Sequence, residues 1–220
     1  MQKIEALLFD LDGTIVDNMG YHVQAWAEYL RSYGIEDSLE NVNQRVSGKT
    51  TEEVIRMYFG DDLSPDQIKD HYQKKESYYK KIYLPHLKEN PGITKLLDQA
   101  RQLNIPAAIA SAAGIDNVAF VINNLKIAGY FKTIVSAADV SCGKPDPEIF
   151  LLAAKRLGVH PSSCLVFEDA LAGLEGAQNA GMKAIAITTA HTAEKLSKYP
   201  AVIKVVDNFL DLDLKTIINY

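Results

Sequence analysis

After Pro91-Gly92 the chain alternates short apolar runs with longer amphipathic stretches, and that alternation restricts its fold more than any other feature. Ala107 to Ala110, Thr133 to Val135, Cys164 to Phe167 and Ala184 to Ile187 read as strands. Ile93 to Leu103, Asn117 to Leu125, Pro147 to Leu157 and Leu171 to Ala180 read as the helices around them. Strand, helix, strand order joined by right-handed crossovers predicts an α/β fold, a doubly wound parallel sheet with helices on both faces. A further apolar run, Leu7-Leu8-Phe9, stands far upstream. Between them the texture is helical: Val23, Trp26, Ala27 and Leu30 recur at helical spacing, as do Val54, Ile55, Tyr58 and Phe59. Ser64-Pro65-Asp66-Gln67 is a capping-box pattern with proline at the first helical position, predicting a helix that runs to about Tyr83. A segment of that length is no ordinary loop. We therefore expect residues 1–15 and 88–220 to form the α/β core, and residues 16–87 to form an all-helical cap inserted into it.

The 220 residues, 47% hydrophobic and 23% charged, suffice for one sizeable core and an appended module. A net charge of -5 offers no clustered cationic face, which argues against a nucleic-acid partner. No apolar run approaches bilayer-spanning length and the first residues lack a leader pattern, so no membrane partner is expected and the cytoplasm is the expected location. Cys142 and Cys164 lack metal spacing and form no disulfide framework; both are expected to be small buried or half-buried residues.

In doubly wound sheets ligands bind outside the carboxyl ends of the strands. The first strand ends in Asp10-Leu11-Asp12-Gly13-Thr14, with two carboxylates two residues apart before a glycine turn. Such a pair can serve as a polar turn, or as a ligand or nucleophile beside an acid or base. The second ends at Ser111, followed by Ala112, Ala113 and Gly114, where a hydroxyl and backbone N–H groups can grip an anion. The third leads to Gly143-Lys144-Pro145-Asp146-Pro147, a stiff loop carrying a lysine, and the fourth ends in Phe167-Glu168-Asp169. Each is ordinary alone: a turn serine, a solvated lysine, acids at a helix start. Together they converge. Clustered carboxylates repel unless a cation sits among them, and hard oxygen ligands suit Mg2+. A hydroxyl, amides and a lysine alongside complement a phosphoryl group.

These four motifs, running on through Glu168-Asp169-Ala170-Leu171-Ala172-Gly173 to Ala180-Gly181-Met182, resemble the haloacid dehalogenase superfamily over essentially the whole chain. Within it, the chain is similar to the phosphatases and mutases of the β-phosphoglucomutase-like group. The resemblance implies a Rossmann-like core with an inserted cap. It also implies that Asp10 is the nucleophile that takes the phosphoryl group and Asp12 the general acid and base. By the same resemblance Ser111, Ala112 and Lys144 bind phosphate. Mg2+ is held by Asp10, the Asp12 backbone carbonyl, Asp169 and Glu168, the last directly or through water.

In the cap, His22 matches a cap histidine of that group and Lys75 a cap lysine that contacts the sugar phosphate there, which points to both as substrate groups; as bare residues they are equally a helix histidine and a solvated charge. The chain departs from the mutase pattern in Val46-Ser47-Gly48-Lys49-Thr50-Thr51, where Ser47 and Thr51 replace basic residues. Without that distal cationic grip, the expected function is a Mg2+-dependent phosphatase of a small phosphorylated metabolite, a sugar phosphate, acting through an aspartyl phosphate. The runner-up is a hexose phosphate mutase of the β-phosphoglucomutase type. A non-catalytic binding or regulatory module is the alternative of a different class, and an intact proton-transfer group counts against it. A monomer is expected.

Overall fold

The computed structural model describes residues 3–46 and 49–218. Ser47, one of the two departures from the mutase pattern, lies outside them. Six strands form one sheet: β1 Ala6–Phe9, β2 Ala107–Ala110, β3 Phe131–Val135, β4 Cys164–Glu168, β5 Lys183–Ile187 and β6 Val202–Val206. Every pairing is parallel, in the order β3-β2-β1-β4-β5-β6. The order reverses at β1, the topological switch point where such sheets bind ligands. β6 was not anticipated from the sequence. It is an edge strand whose four valine and isoleucine residues are half-buried and whose central Lys204 is exposed, so it lacks the continuous apolar run that marks its neighbours.

Helices α1 Met19–Arg31, α2 Leu39–Val46, α3 Thr51–Phe59 and α4 Pro65–Tyr83 precede β2. Then come α5 Ile93–Gln102, α6 Ile115–Asn124, α7 Glu148–Leu157, α8 Leu171–Asn179, α9 Ala193–Leu196 and α10 Leu214–Ile217. The chain packs as two compact units: one ends its first segment at Asp17 and resumes at Lys88, and the other is Asn18–Leu87. Val16 and Asp17 thus go with the sheet, because the turn after β1 closes on itself: Gly13 donates its N–H to the Val16 carbonyl at 2.6 Å, and Val16 to that of Leu11 at 3.2 Å.

Strand alternation gives the sheet two buried faces. On one, Ala6, Leu8, Ala108, Ala110 and Val166 pack with Phe150, Leu174 and Ala177 of α7 and α8. The alanines leave room for those helices to lie close. On the other, Phe9 stacks on Phe167 at 4.5 Å, and Phe209 tilts against both. Both layers are fully buried beneath Asp10 and Glu168, so the strand tips that carry the acids stand on close-packed supports.

The helical unit has its own core of Trp26, Tyr29, Leu30, Val42, Val54 and Ile55. Its helix starts are explicit. Ser64 and Gln67 form a capping box with Pro65 in the first turn, and Thr50 and Glu53 form a second. Cys164 is buried as expected but Cys142 is exposed, because it sits in the loop after β3 rather than in an element.

Candidate active site

Asp10 follows the last residue of β1 and is buried; its N–H still donates to the Phe167 carbonyl, at 3.0 Å, continuing the sheet ladder. The chain then turns through Gly13 at φ +85°, a conformation that favours glycine. A Cβ there would also strike the Asp169 carboxylate. Glycine at this position lets β1 and β4 deliver their acids side by side. Asp12 lies in the turn, half-buried, in an isolated bridge with Val16.

Asp10, Glu168 and Asp169 each offer a carboxylate oxygen within 4.8 Å of the others, and all three are buried. Lys144 Nζ donates to Asp10 Oδ1 and to Glu168 Oε1, both at 2.6 Å. The other oxygen of Glu168 accepts the N–H groups of Asp169 at 2.8 Å and Ala170 at 2.7 Å, which pins the turn into α8. Asp169 accepts the Thr14 hydroxyl at 3.2 Å.

The electrostatics follow from crowding like charges away from water. Burial pushes the Asp10 carboxyl up to about 7; Glu168 and Asp12 push the same way, and Lys144 opposes them. Burial likewise raises Asp169 to about 9, reinforced by Glu168 and Asp10. For Lys144 burial works against the charge, yet the carboxylates of Asp10 and Glu168 outweigh it and hold the lysine above its ordinary range. One ammonium among three carboxylates leaves a deficit of positive charge. Hard oxygen donors, convergent and incompletely neutralised, fit a divalent cation of the Mg2+ type.

Lys144 reaches this point from a constructed loop. Its bond to Pro145 is cis. Glu148 at the start of α7 accepts the N–H groups of Ser141 and Cys142, and Asn179 donates to the Pro145 carbonyl at 3.1 Å. The lysine's ammonium lies 5.0 Å from the centre of the Phe150 ring. Ser111 follows β2, the neighbour of β1, and is buried; its hydroxyl accepts the Ala113 N–H at 3.1 Å, outside the carboxylate cluster. Ala112 is exposed beside it.

Three further residues fix the turn after β1. Asn90 donates to the Thr14 carbonyl at 3.1 Å, and its N–H to that of Ile15 at 2.8 Å. Thr189, just beyond β5, donates its hydroxyl to the Gly13 carbonyl at 2.5 Å. Thr14 joins the turn to Asp169. A threonine or asparagine that bonds a distant backbone oxygen leaves no mark in a sequence, although Asn90 does adjoin the Pro91-Gly92 junction.

In the helical unit, His22 and Lys75 are brought together. Lys75 Nζ lies 3.0 Å from His22 Nδ1 and 2.8 Å from Glu76 Oε1, with the rings of Trp26 and Tyr79 at 5.4 and 5.7 Å. The His22 ring stacks on Tyr79 at 3.9 Å, and Asn18 donates to the Tyr79 hydroxyl at 2.6 Å. Lys75 is buried, not the solvated charge that its residue type alone suggests.

A switch-point sheet with two acids at its first strand tip, a lysine from the loop after the third strand and two acids at the end of the fourth defines a class of site. The chain matches the haloacid dehalogenase-like hydrolase family over residues 7–187 and belongs to it. It is 30% identical to the phosphorylated carbohydrates phosphatase of Thermotoga maritima over 83% of this chain and 84% of that protein. It is 32% identical to the β-phosphoglucomutase of Bacillus subtilis, over 84% of this chain and 83% of that one. The crystal structure of a HAD hydrolase of family IA, variant 3, from Entamoeba histolytica superimposes with a TM-score of 0.89 at 28% identity, covering 98% of both chains.

Proposed function

We propose that this protein is a Mg2+-dependent phosphatase that hydrolyses a small phosphomonoester, a sugar phosphate, through an aspartyl phosphate on Asp10. The observation that carries it is the buried Asp10–Lys144–Glu168–Asp169 cluster on the tip of the central strand. The family relationship and the relatives that act on phosphorylated carbohydrates support the substrate class.

A carboxylate of Asp10 attacks phosphorus as the bond to the leaving oxygen breaks, and Asp12 donates the proton that this oxygen needs. Asp12 then takes a proton from the water that attacks the aspartyl phosphate, releasing phosphate and restoring Asp10. Lys144 opposes the pull of burial on Asp10 and adds positive charge beside the transferring group. Ser111, with the Ala112 backbone, grips the phosphate oxygens. Asp10, the Asp12 carbonyl, Glu168 and Asp169 would hold the metal, which supplies neutralising charge to the phosphoryl oxygens. His22 and Lys75 serve as the substrate-recognising groups of the helical unit.

A hexose phosphate mutase is the second reading, favoured by the 32% identity to a β-phosphoglucomutase. Thr51, where a mutase pattern has a basic residue, weighs against it. One experiment separates the two: a panel of sugar phosphates assayed with Mg2+ for free phosphate and isomerised product together. Phosphate release dominating for every sugar is the expected result. Faster conversion of glucose 1-phosphate to glucose 6-phosphate, once primed with a bisphosphate, would give the function to the mutase.

A further inference from the structure

The loop that carries Lys144 is closed by a side chain of the helix after it. Glu148 is the first residue of α7, where a carboxylate ordinarily complements the start of its own helix. Here Oε2 turns back to the loop and accepts the N–H groups of Ser141 and Cys142, seven and six residues upstream, at 2.7 and 3.0 Å. It works from a fixed base. The next two residues, Ile149 and Phe150, are buried against the sheet, and the Glu148 N–H donates to Asp146 Oδ1 at 2.9 Å. On the other side of Lys144, the Asp146 N–H donates to the Gly143 carbonyl at 3.0 Å and Asn179 donates to the Pro145 carbonyl.

We propose that Glu148 is a positioning residue for phosphoryl transfer: it holds the backbone before Lys144 so that the ammonium stays within hydrogen-bond distance of both Asp10 and Glu168. This rests on the phosphatase activity proposed above. Ser141, Cys142 and Gly143 are all exposed, whereas the Lys144 side chain is only 8% exposed. Packing therefore does not fix the approach to the lysine, and the bonds to Glu148 do. They are needed because burial opposes the charge of an ammonium, which is strongly hydrated when free to reach water. Two successive N–H groups on one carboxylate oxygen make charge-assisted bonds, stronger than neutral ones. With Nζ at 2.6 Å from each acid, a shift of about 1 Å breaks a bond and moves positive charge away from the transferring group. Glu148 acts through Lys144 and needs no contact with the substrate.

The test is a mutant cycle. kcat and KM for phosphate release from a sugar phosphate that the wild type hydrolyses are measured with Mg2+ in the wild-type chain, Glu148→Ala, Lys144→Ala and the double variant, with folding checked by circular dichroism. Glu148→Ala should lower kcat about tenfold or more and change KM less than about threefold. In the Lys144→Ala background the same change should alter kcat less than about twofold, because the group it positions is gone. Two conservative variants separate positioning from a merely structural charge at the helix start. Glu148→Gln keeps the acceptor and its reach, while Glu148→Asp keeps the charge but withdraws it by one methylene, so Gln should retain more of kcat than Asp; a helix-start role gives the reverse order. A folded Glu148→Ala with wild-type kcat overturns the proposal, as does an equal loss with and without Lys144. So does Asp outperforming Gln, an order that decides even where an alanine variant fails to fold. A wild-type chain that releases phosphate from no sugar phosphate in the panel overturns the phosphatase reading instead.

Discussion

The sheet and the helical unit each bury a lysine against carboxylates, and they do it in opposite ways. Lys144 is shared by Asp10 and Glu168, from positions 134 and 24 residues away, while Asp169 beside them accepts the Thr14 hydroxyl. Lys75 is paired with its neighbour in sequence, with the His22 ring nitrogen at 3.0 Å and the rings of Trp26 and Tyr79 at 5.4 and 5.7 Å. The first arrangement buries three carboxylates around one ammonium, so burial, reinforced by their mutual repulsion, drives carboxyls to about 7 and about 9 and a cation is invited. The second sets one ammonium against one carboxylate. Buried ionic sites differ less in what residues they contain than in whether the charges sum to zero.

The largest expected effect falls on the unbalanced site. Asp10→Asn should lower phosphate release by roughly 10⁴-fold or more, as loss of a nucleophile does, with Mg2+ present and the fold intact by circular dichroism. Lys144→Ala should slow turnover about a hundredfold or more, seen as a fall in kcat. Lys75→Ala, by contrast, should act mainly through KM. Equal falls in kcat for the two lysines would erase the distinction between the regions.

Support for the turn after β1 comes next. Asn90→Ala leaves the Thr14 carbonyl without its buried donor, so about 1–3 kcal/mol of stability should be lost in urea unfolding, with turnover falling as well. Cation dependence sharpens the comparison further. A carboxyl raised in the folded state makes the folded chain hold more protons than the unfolded one, so metal-free stability falls as pH rises from about 4 through the raised values of Asp10 and Asp169. Mg2+ should reverse that loss. Its thermal stabilisation should therefore be greater near pH 8 than near pH 5, and scanning calorimetry at about those two values reads it directly. Outside both regions, the Arg156 bond to Asp139 holds that carboxyl down at about 2. Its stabilisation is complete above the unfolded carboxyl range and disappears as pH falls towards 2. The pair is partly exposed, so Arg156→Ala should cost less than about 1 kcal/mol at neutral pH.

Legibility in the sequence followed the kind of interaction involved. Buried parallel strands announce themselves as apolar runs, and Leu7 to Phe9, Ala107 to Ala110 and Cys164 to Phe167 do so plainly. Val202–Val206 does not, because an edge strand keeps a charged residue at its centre. The acids were readable since they break apolar runs abruptly, and Lys144 since prolines frame it. Asn90 and Thr189 were not, because each meets a carbonyl far along the chain, and nothing in either residue type specifies that partner. Glu76 was passed over beside Lys75 for a related reason: in a lysine-rich helix an acid reads as a surface charge, and only its burial shows otherwise.

The central claim is that Asp10 carries the phosphoryl group. Its most direct test is to quench the Mg2+-loaded enzyme with acid during turnover of a sugar phosphate it hydrolyses, and to locate phosphoryl groups by peptide mass spectrometry. A phosphorylated Asp10 in the wild-type chain, building up when Asp12→Ala slows its hydrolysis and absent from Asp10→Asn, is the result expected. Rapid turnover with the label on another residue, or undiminished phosphate release by Asp10→Asn, would contradict the account.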